Sequence, residues 1–411
     1  MNEQIETRVD VLLLGGGPTG LALACALGAV GATGLLVERR PLEALVEPDH
    51  DGRVTAITRG GRLLLERVGV WRYLADAAEP ILDIVVGEAG TPVQVHYDRR
   101  EVDGDPLGWI VENRALRLAL MARLADLPAI QIAAPDEVAS LTREGAGATA
   151  TLRSGRQIRA ALVAACEGRG SATREAAGIG VRQWTYGQTG IVCSFAHRLP
   201  HGGNAVERFF PDGPFAILPQ QGAPETPHRS SIVWALADPT AHSVTALDDP
   251  DFTAEAQQRI GNRLGRLSLA SRRWHYPLTL VWADSYVGQR LVLVGDTARA
   301  IHPIAGQGWN LALRDVAAVA EIVEDRLRLG LDPGDALALE RYAAWRSFDS
   351  LALVAITDGI NRLFANEILP LKLARNIGLG LVERTSPLKR FFMRHAMGLV
   401  GELPRLMREP S

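Results

Sequence analysis

The sequence predicts an α/β fold: a parallel-sheet unit interrupted by a mainly antiparallel β-sheet and followed by a helical C-terminus. Three observations carry that prediction. Near the N-terminus an apolar run at residues 8–14 meets a glycine-rich turn and then a charge-free helical segment. Between Gly180 and Trp274, short alternating runs are separated by turn clusters such as H-G-G-N and P-D-G-P. Beyond Asp315 the apolar periodicity is helical throughout.

The chain has 411 residues, enough for about two domains and a large core. It is 47% hydrophobic and 22% charged, so a folded globular protein is expected. A net charge of −3 argues against bulk nucleic-acid binding. The three cysteines, Cys25, Cys166 and Cys193, lie far apart with no C-x-x-C. That spacing excludes a zinc ribbon or dithiol motif and fits a reducing cytoplasm; no metal site is expected. Residues 11–37 carry no charge, yet Pro18 and seven glycines interrupt the run and no basic segment precedes it. A buried strand–helix–strand unit explains the run better than a membrane span or signal peptide.

In chain order, residues 8–14 read as a buried parallel strand and residues 19–30 as a helix. A second strand follows at 34–37 and ends at Glu38. The turn between the first two is Gly15-Gly16-Gly17-Pro18-Thr19-Gly20. A lone G-x-G-x-x-G is weak evidence; one that follows a strand, opens a helix and precedes an acid 18 residues past Gly20 is a strong dinucleotide fingerprint. Gly15 suits the tight turn, Gly17 the backbone's approach to a pyrophosphate, and Gly20 close helix–strand packing. Glu38, followed by Arg39, is placed to accept from ribose hydroxyls. Strands are expected near 81–86 and 93–97, a helix at 113–124, and a strand meander over 130–163. One helix is expected over 249–267, and long helices to about 329 and over 334–364.

A second chemistry-bearing stretch runs V-L-V-G-D-T-A-R-A-I-H-P-I-A-G-Q-G-W-N-L-A-L-R-D from Val292 to Asp315. Its strand, Gly-Asp turn, stiff Pro303 loop and helix opening near Asn310 suit a flavin. Asp296 can accept from a ribityl hydroxyl, and Gly306 and Gly308 bring bare backbone against a flat ring. The helix start favours negative charge on a phosphate or a reduced ring. There is one dinucleotide fingerprint and no redox cysteine pair, unlike pyridine-nucleotide disulfide reductases. The W-x-W signature of tryptophan halogenases is absent.

This stretch resembles the motif of class A flavoprotein monooxygenases of the para-hydroxybenzoate hydroxylase type, and most closely the ubiquinone-biosynthesis hydroxylases. The resemblance implies a Rossmann-type FAD-binding domain with an inserted substrate domain of mainly antiparallel β-sheet. By the same resemblance Asp296 reaches the ribityl chain, and Gly306, Gln307 and Gly308 wrap the isoalloxazine with Pro303 and Asn310. Arg53 lies near the flavin phosphates, Arg114 contacts the dinucleotide, and Pro18 and Thr19 belong to its first turn. Glu167, Gly168 and Arg174 match a second fingerprint for the pyrophosphate and the nicotinamide's approach, with Glu167 where Asp is usual. Arg299 stands where His is usual, and Trp309 where a smaller apolar residue is usual. His302 is the nearest candidate for handling protons, beside Pro303, although the chemistry belongs mainly to the flavin.

The implied activity uses NADH or NADPH and dioxygen to place a hydroxyl on the ring of a polyprenylated phenol. The matches Tyr342…Trp345-Arg346…Asp349 and Thr357–Phe364 extend the resemblance over nearly the whole chain. The alternatives are a class A hydroxylase of another aromatic metabolite, or a non-catalytic FAD-binding scaffold of a quinone-biosynthesis complex. The expected FAD-binding domain comprises 1–78, 98–178 and 276–330; the substrate domain 79–97 and 179–275; the helical region 331–411. From Ile360 onward nine basic residues face four acids. There a helix carrying Leu388, Phe391, Phe392, His395 and Leu399 on one face, opposite Arg390 and Arg394, is expected to meet lipid, a partner protein or the core. That makes the expected location cytoplasmic and peripheral at the inner membrane face, with other ubiquinone-biosynthesis proteins as candidate partners.

Overall fold

The computed structural model describes residues 7–301, 306–364, 378 and 380–409, with the side chains of all of these but 348 and 352–364. The strand Thr7–Leu14 lies inside an eight-stranded sheet, parallel to Gly34–Val37 on one side and Gln157–Ala165 on the other. Ile130–Ala133 and Leu291–Leu293 extend the parallel set outward. The hairpin Val138–Glu144/Gly147–Leu152 adds to Gln157–Ala165 antiparallel. The helix Pro18–Ala29 buries every residue from Gly20 to Leu27, packed between this sheet and the helices Asn113–Ala125 and Gly308–Arg328. A helix enclosed on all sides must be apolar all round, which accounts for the charge-free run. Among the described residues no helix is long and apolar enough to cross a membrane.

The second sheet has nine strands. Its path runs Arg299–Ala300, Trp274–Ala283, Val181–His197, Arg229–Ala237, Gly213–Gln220, Asn204–Phe210, Asp83–Glu88, Gln94–Asp98, with Leu267–Leu269 also paired to Val181–His197. All pairings are antiparallel except Asn204–Phe210 with Asp83–Glu88. One face is covered by the helices Asp238–Thr245 and Asp249–Ile260 through Phe195, Phe215, Trp234 and Phe252. Ala205 and Leu218 of the other face join an apolar cluster with Val54, Ala56, Ile110, Met393 and Met397. A small sheet of Val54–Thr58, Gly108–Glu112 and Glu79–Ile81 lies in this region.

The structure moves several expected boundaries. The single strand expected near 81–86 is two: Glu79–Ile81 joins the small sheet and Asp83–Glu88 the nine-stranded one. The expected cut at 276 falls inside Trp274–Ala283, which pairs along its length with Val181–His197. The helix expected over 249–267 stops at Ile260, because Gly261 turns the chain at φ +68°. In Ser386–Ala396 the inward positions are Lys389 and Met393, continued by Met397 at the same four-residue spacing. Phe391 and Phe392 are 51% and 40% exposed, so the expected apolar stripe does not pack as a unit on the core.

Candidate active site

The first glycine turn is shaped by close packing. Gly15 sits at φ +103° and donates to the Val37 carbonyl; a Cβ there would lie 2.7 Å from the Cys166 carbonyl oxygen. A Cβ on Gly20 would lie 1.9 Å from the Gly15 oxygen. Gly17 caps the helix without a side chain, Pro18 begins it, and nothing stands within 4 Å of the space in front of Gly17. Free backbone N–H groups therefore face an open approach, which suits an anion. Thr19 lies against Gly295, bringing this turn to the later Gly-Asp turn. Glu38 is buried; its carboxylate accepts from Gly16 N at 2.7 Å and Arg40 N at 3.0 Å. Arg39 is exposed.

Arg53 is held by Asp51, which accepts from its Nε at 2.9 Å and Nη2 at 3.0 Å, while the guanidinium lies 4.8 Å over the Tyr276 ring. Asp51 also accepts from Asn113 and the buried Arg117. Burial alone would raise the Asp51 carboxyl, but its bonds with Arg53, Asn113 and Arg117 outweigh burial and hold it well below the usual range. Arg114 donates to the Val46 carbonyl at 2.7 Å and so steadies the loop that leads to Arg53.

At the later turn Gly295 adopts φ +63° and presents Asp296. The Asp296 carboxyl is half exposed, with Arg169 3.8 Å away. Desolvation nevertheless raises it, against the pull of Arg169, Arg53 and Arg299. The second fingerprint braces this turn: Gly168 N donates to Thr297 Oγ1, and the buried Arg174 donates to the Thr297 and Arg169 carbonyls. Glu167 accepts from Ser171 Oγ and Thr173 N at the start of the helix Ala172–Ala176. Arg174 thus spends its guanidinium on fixing two loops.

Behind the turn lies a group that the sequence did not assemble. The buried Asp315 carboxylate accepts from Gly295 N at 3.0 Å, from Arg299 at 2.8 and 2.9 Å, and from Arg346 Nε at 2.8 Å. Arg346 and Arg314 both reach Asp349. Tyr342 donates to the Leu293 carbonyl. Asn310 stitches the loop to the small sheet, accepting from Thr58 and donating to the Ala56 and Gly306 carbonyls. Gly306 is at φ +61°, Gly308 opens the long helix, and Gln307 donates to the Ala396 carbonyl. His302 and Pro303 lie outside the described residues.

Together these elements offer an anion site at a helix start, a fixed carboxylate at a strand end, and an accessible carboxylate beside bare glycine backbone. This donor set fits FAD. The family described as FAD binding domain matches residues 8–343. Ubiquinone hydroxylase UbiL of Rhodospirillum rubrum is 47% identical over 402 residues, covering 97% of this chain and 92% of that protein. The 3-demethoxyubiquinol 3-hydroxylase of Escherichia coli is 32% identical over 393 residues, covering 95% and 98%. Among solved structures, p-nitrophenol 4-monooxygenase PnpA from Pseudomonas putida matches with a TM-score of 0.79 over 97% of this chain and all of that one; at 18% identity this likeness speaks to the fold. On the family match and these relatives, the chain belongs to the FAD binding domain family, together with the ubiquinone hydroxylases.

Proposed function

We propose that the chain is an FAD-dependent monooxygenase that uses NADH or NADPH and dioxygen to hydroxylate the ring of a polyprenylated phenol in ubiquinone biosynthesis. The observation that carries this reading is 47% identity across 97% of the chain to a protein named ubiquinone hydroxylase. FAD, when bound, supplies the redox chemistry and the activation of dioxygen. The chain's residues bind and orient it. The N–H groups after Gly17 take the pyrophosphate, Arg53 adds positive charge, Glu38 accepts from a ribose hydroxyl, and Asp296 accepts from the ribityl chain. The apolar cluster between the sheets excludes water from the reacting face. A polyprenyl tail keeps the substrate in a bilayer, so we assign the exposed Phe391 and Phe392, beside Arg390 and Arg394, to the membrane surface at its inner face. The test of the reaction is turnover of a prenylated phenol under isotopically labelled dioxygen. Label is expected in the product hydroxyl; label arriving only from water overturns the reading.

A further inference from the structure

One ionisable side chain of the inserted sheet has no assigned task. Glu207 lies on Asn204–Phe210, opposite Ala216 on one neighbouring strand and Val86 on the other. Its strand neighbour Val206, with Phe215 and Ile217, packs on the helix-covered face. Alternation therefore turns Glu207 to the other face, that of Ala205 and Leu218. Those two residues share a cluster with Val54 and Ala56 of the small sheet, and Ala56 lies against Gly306 of the flavin loop. The carboxyl is thus on the sheet face that looks toward the flavin loop, flanked on its strand and across both partners by Ala205, Phe209, Ala216 and Val86.

Glu207 is partly accessible to solvent, yet burial pushes its carboxyl up to about 8, and no neighbouring charge or hydrogen bond contributes to that shift. Among the described residues the Glu207 carboxyl has no hydrogen-bond or ion-pair partner, although Glu88 stands on the same face two residues beyond Val86, and such a group calls for an explanation. At neutral pH an uncharged carboxylic acid can both donate and accept, which suits a phenolic hydroxyl and spares the site a buried charge.

We infer that Glu207 is a substrate-binding residue, whose carboxyl hydrogen-bonds the ring hydroxyl of the aromatic substrate and so orients the ring beneath the flavin. The assignment rests on the proposed hydroxylase function and deepens it. The test uses the FAD-loaded protein and two probes, 2-prenylphenol and its methyl ether, titrated against the flavin absorbance. Wild type is expected to bind the phenol about tenfold more tightly than the ether. Glu207→Gln, whose amide also donates and accepts, keeps that preference. Glu207→Leu loses it and binds both probes alike, with FAD content unchanged. Glu207→Ala, which removes the carboxyl without adding apolar volume, must behave as the Leu variant. A phenol preference that survives in the Leu and Ala variants overturns the assignment while leaving the hydroxylase reading intact. Wild-type protein that binds neither probe overturns that reading, and the assignment with it.

Discussion

Asp296 and Asp315 are two carboxylates on the two sides of one turn, and they predict different losses. Asp296 is half exposed, and on its proposed role as acceptor from the ribityl chain Asp296→Ala removes a charge-assisted hydrogen bond worth about 1.5–3 kcal/mol. FAD affinity should fall roughly tenfold to hundredfold, with little change in the stability of the FAD-free protein. A titration showing unchanged affinity would remove Asp296 from the site. Asp315 is fully buried and answers two guanidinium groups. Asp315→Asn leaves Arg299 and Arg346 short of a counter-charge and should cost about 3–5 kcal/mol of stability, read from chemical denaturation. Burial alone would raise the Asp315 carboxyl, but Arg299 and Arg346 outweigh it and hold the carboxyl below its ordinary value. Its folded value lies under the unfolded one. The contribution is therefore full above about pH 4 and is lost as pH falls through the folded value. Over that acid window the Asn variant should lose less stability than wild type. Glu38 and Asp296 were legible in the sequence because strand, turn and spacing place them locally. Arg299 was visible only as a departure, since its partner Asp315 lies 16 residues away and Arg346, which shares that carboxylate, a further 31, and they meet only once the long helices pack.

At the scale of elements, periodicity located helices and strands but not what each would touch. The helix Ser386–Ala396 is the clearest case. The sequence showed an apolar stripe through Leu388, Phe391, Phe392, His395 and Leu399. The structure instead turns Lys389 inward, where Glu101 and Glu383 accept from its Nζ at 2.8 and 3.3 Å, and leaves the two phenylalanines outside. A paired lysine can occupy an inward position that a hydrophobic pattern assigns to a leucine. The exposed face then combines aromatic rings with Arg390 and Arg394, a composition that favours an anionic lipid surface. Arg390→Glu/Arg394→Glu should reduce co-sedimentation with anionic vesicles strongly and with neutral vesicles little, and added salt should weaken wild-type binding. Equal, salt-insensitive behaviour of the two proteins would count against lipid docking. The split of 79–88 has a similar cause: both halves read as strand, and only the pairing partners, distant in sequence, send them to different sheets.

At the scale of the molecule, the loop that leads into the small sheet meets the nine-stranded sheet on one strand. Gly52 precedes Arg53, and a Cβ there would lie 2.0 Å from the Trp274 ring, while Arg53 itself lies over Tyr276 two residues further along that strand. The alternation of the sheet puts Trp274 and Tyr276 on one face, so a single strand receives both the glycine and the arginine. This contact could not be read from sequence, because nothing local marks Gly52 as an interface residue. It makes a prediction with an internal control. Gly52→Ala forces the loop off the Trp274 ring and should cost about 1–3 kcal/mol of stability, with a weaker hold on FAD as Asp51 and Arg53 shift. In a Trp274→Ala background the ring is gone, so the same Gly52→Ala change should cost close to nothing. The double-mutant cycle therefore shows a coupling of about the full Gly52→Ala penalty, well above the few tenths of a kcal/mol expected of independent sites. Denaturation midpoints and FAD dissociation constants for the four proteins measure it. Equal costs in both backgrounds would mean that the loop carrying Arg53 and the inserted sheet do not meet through this pair.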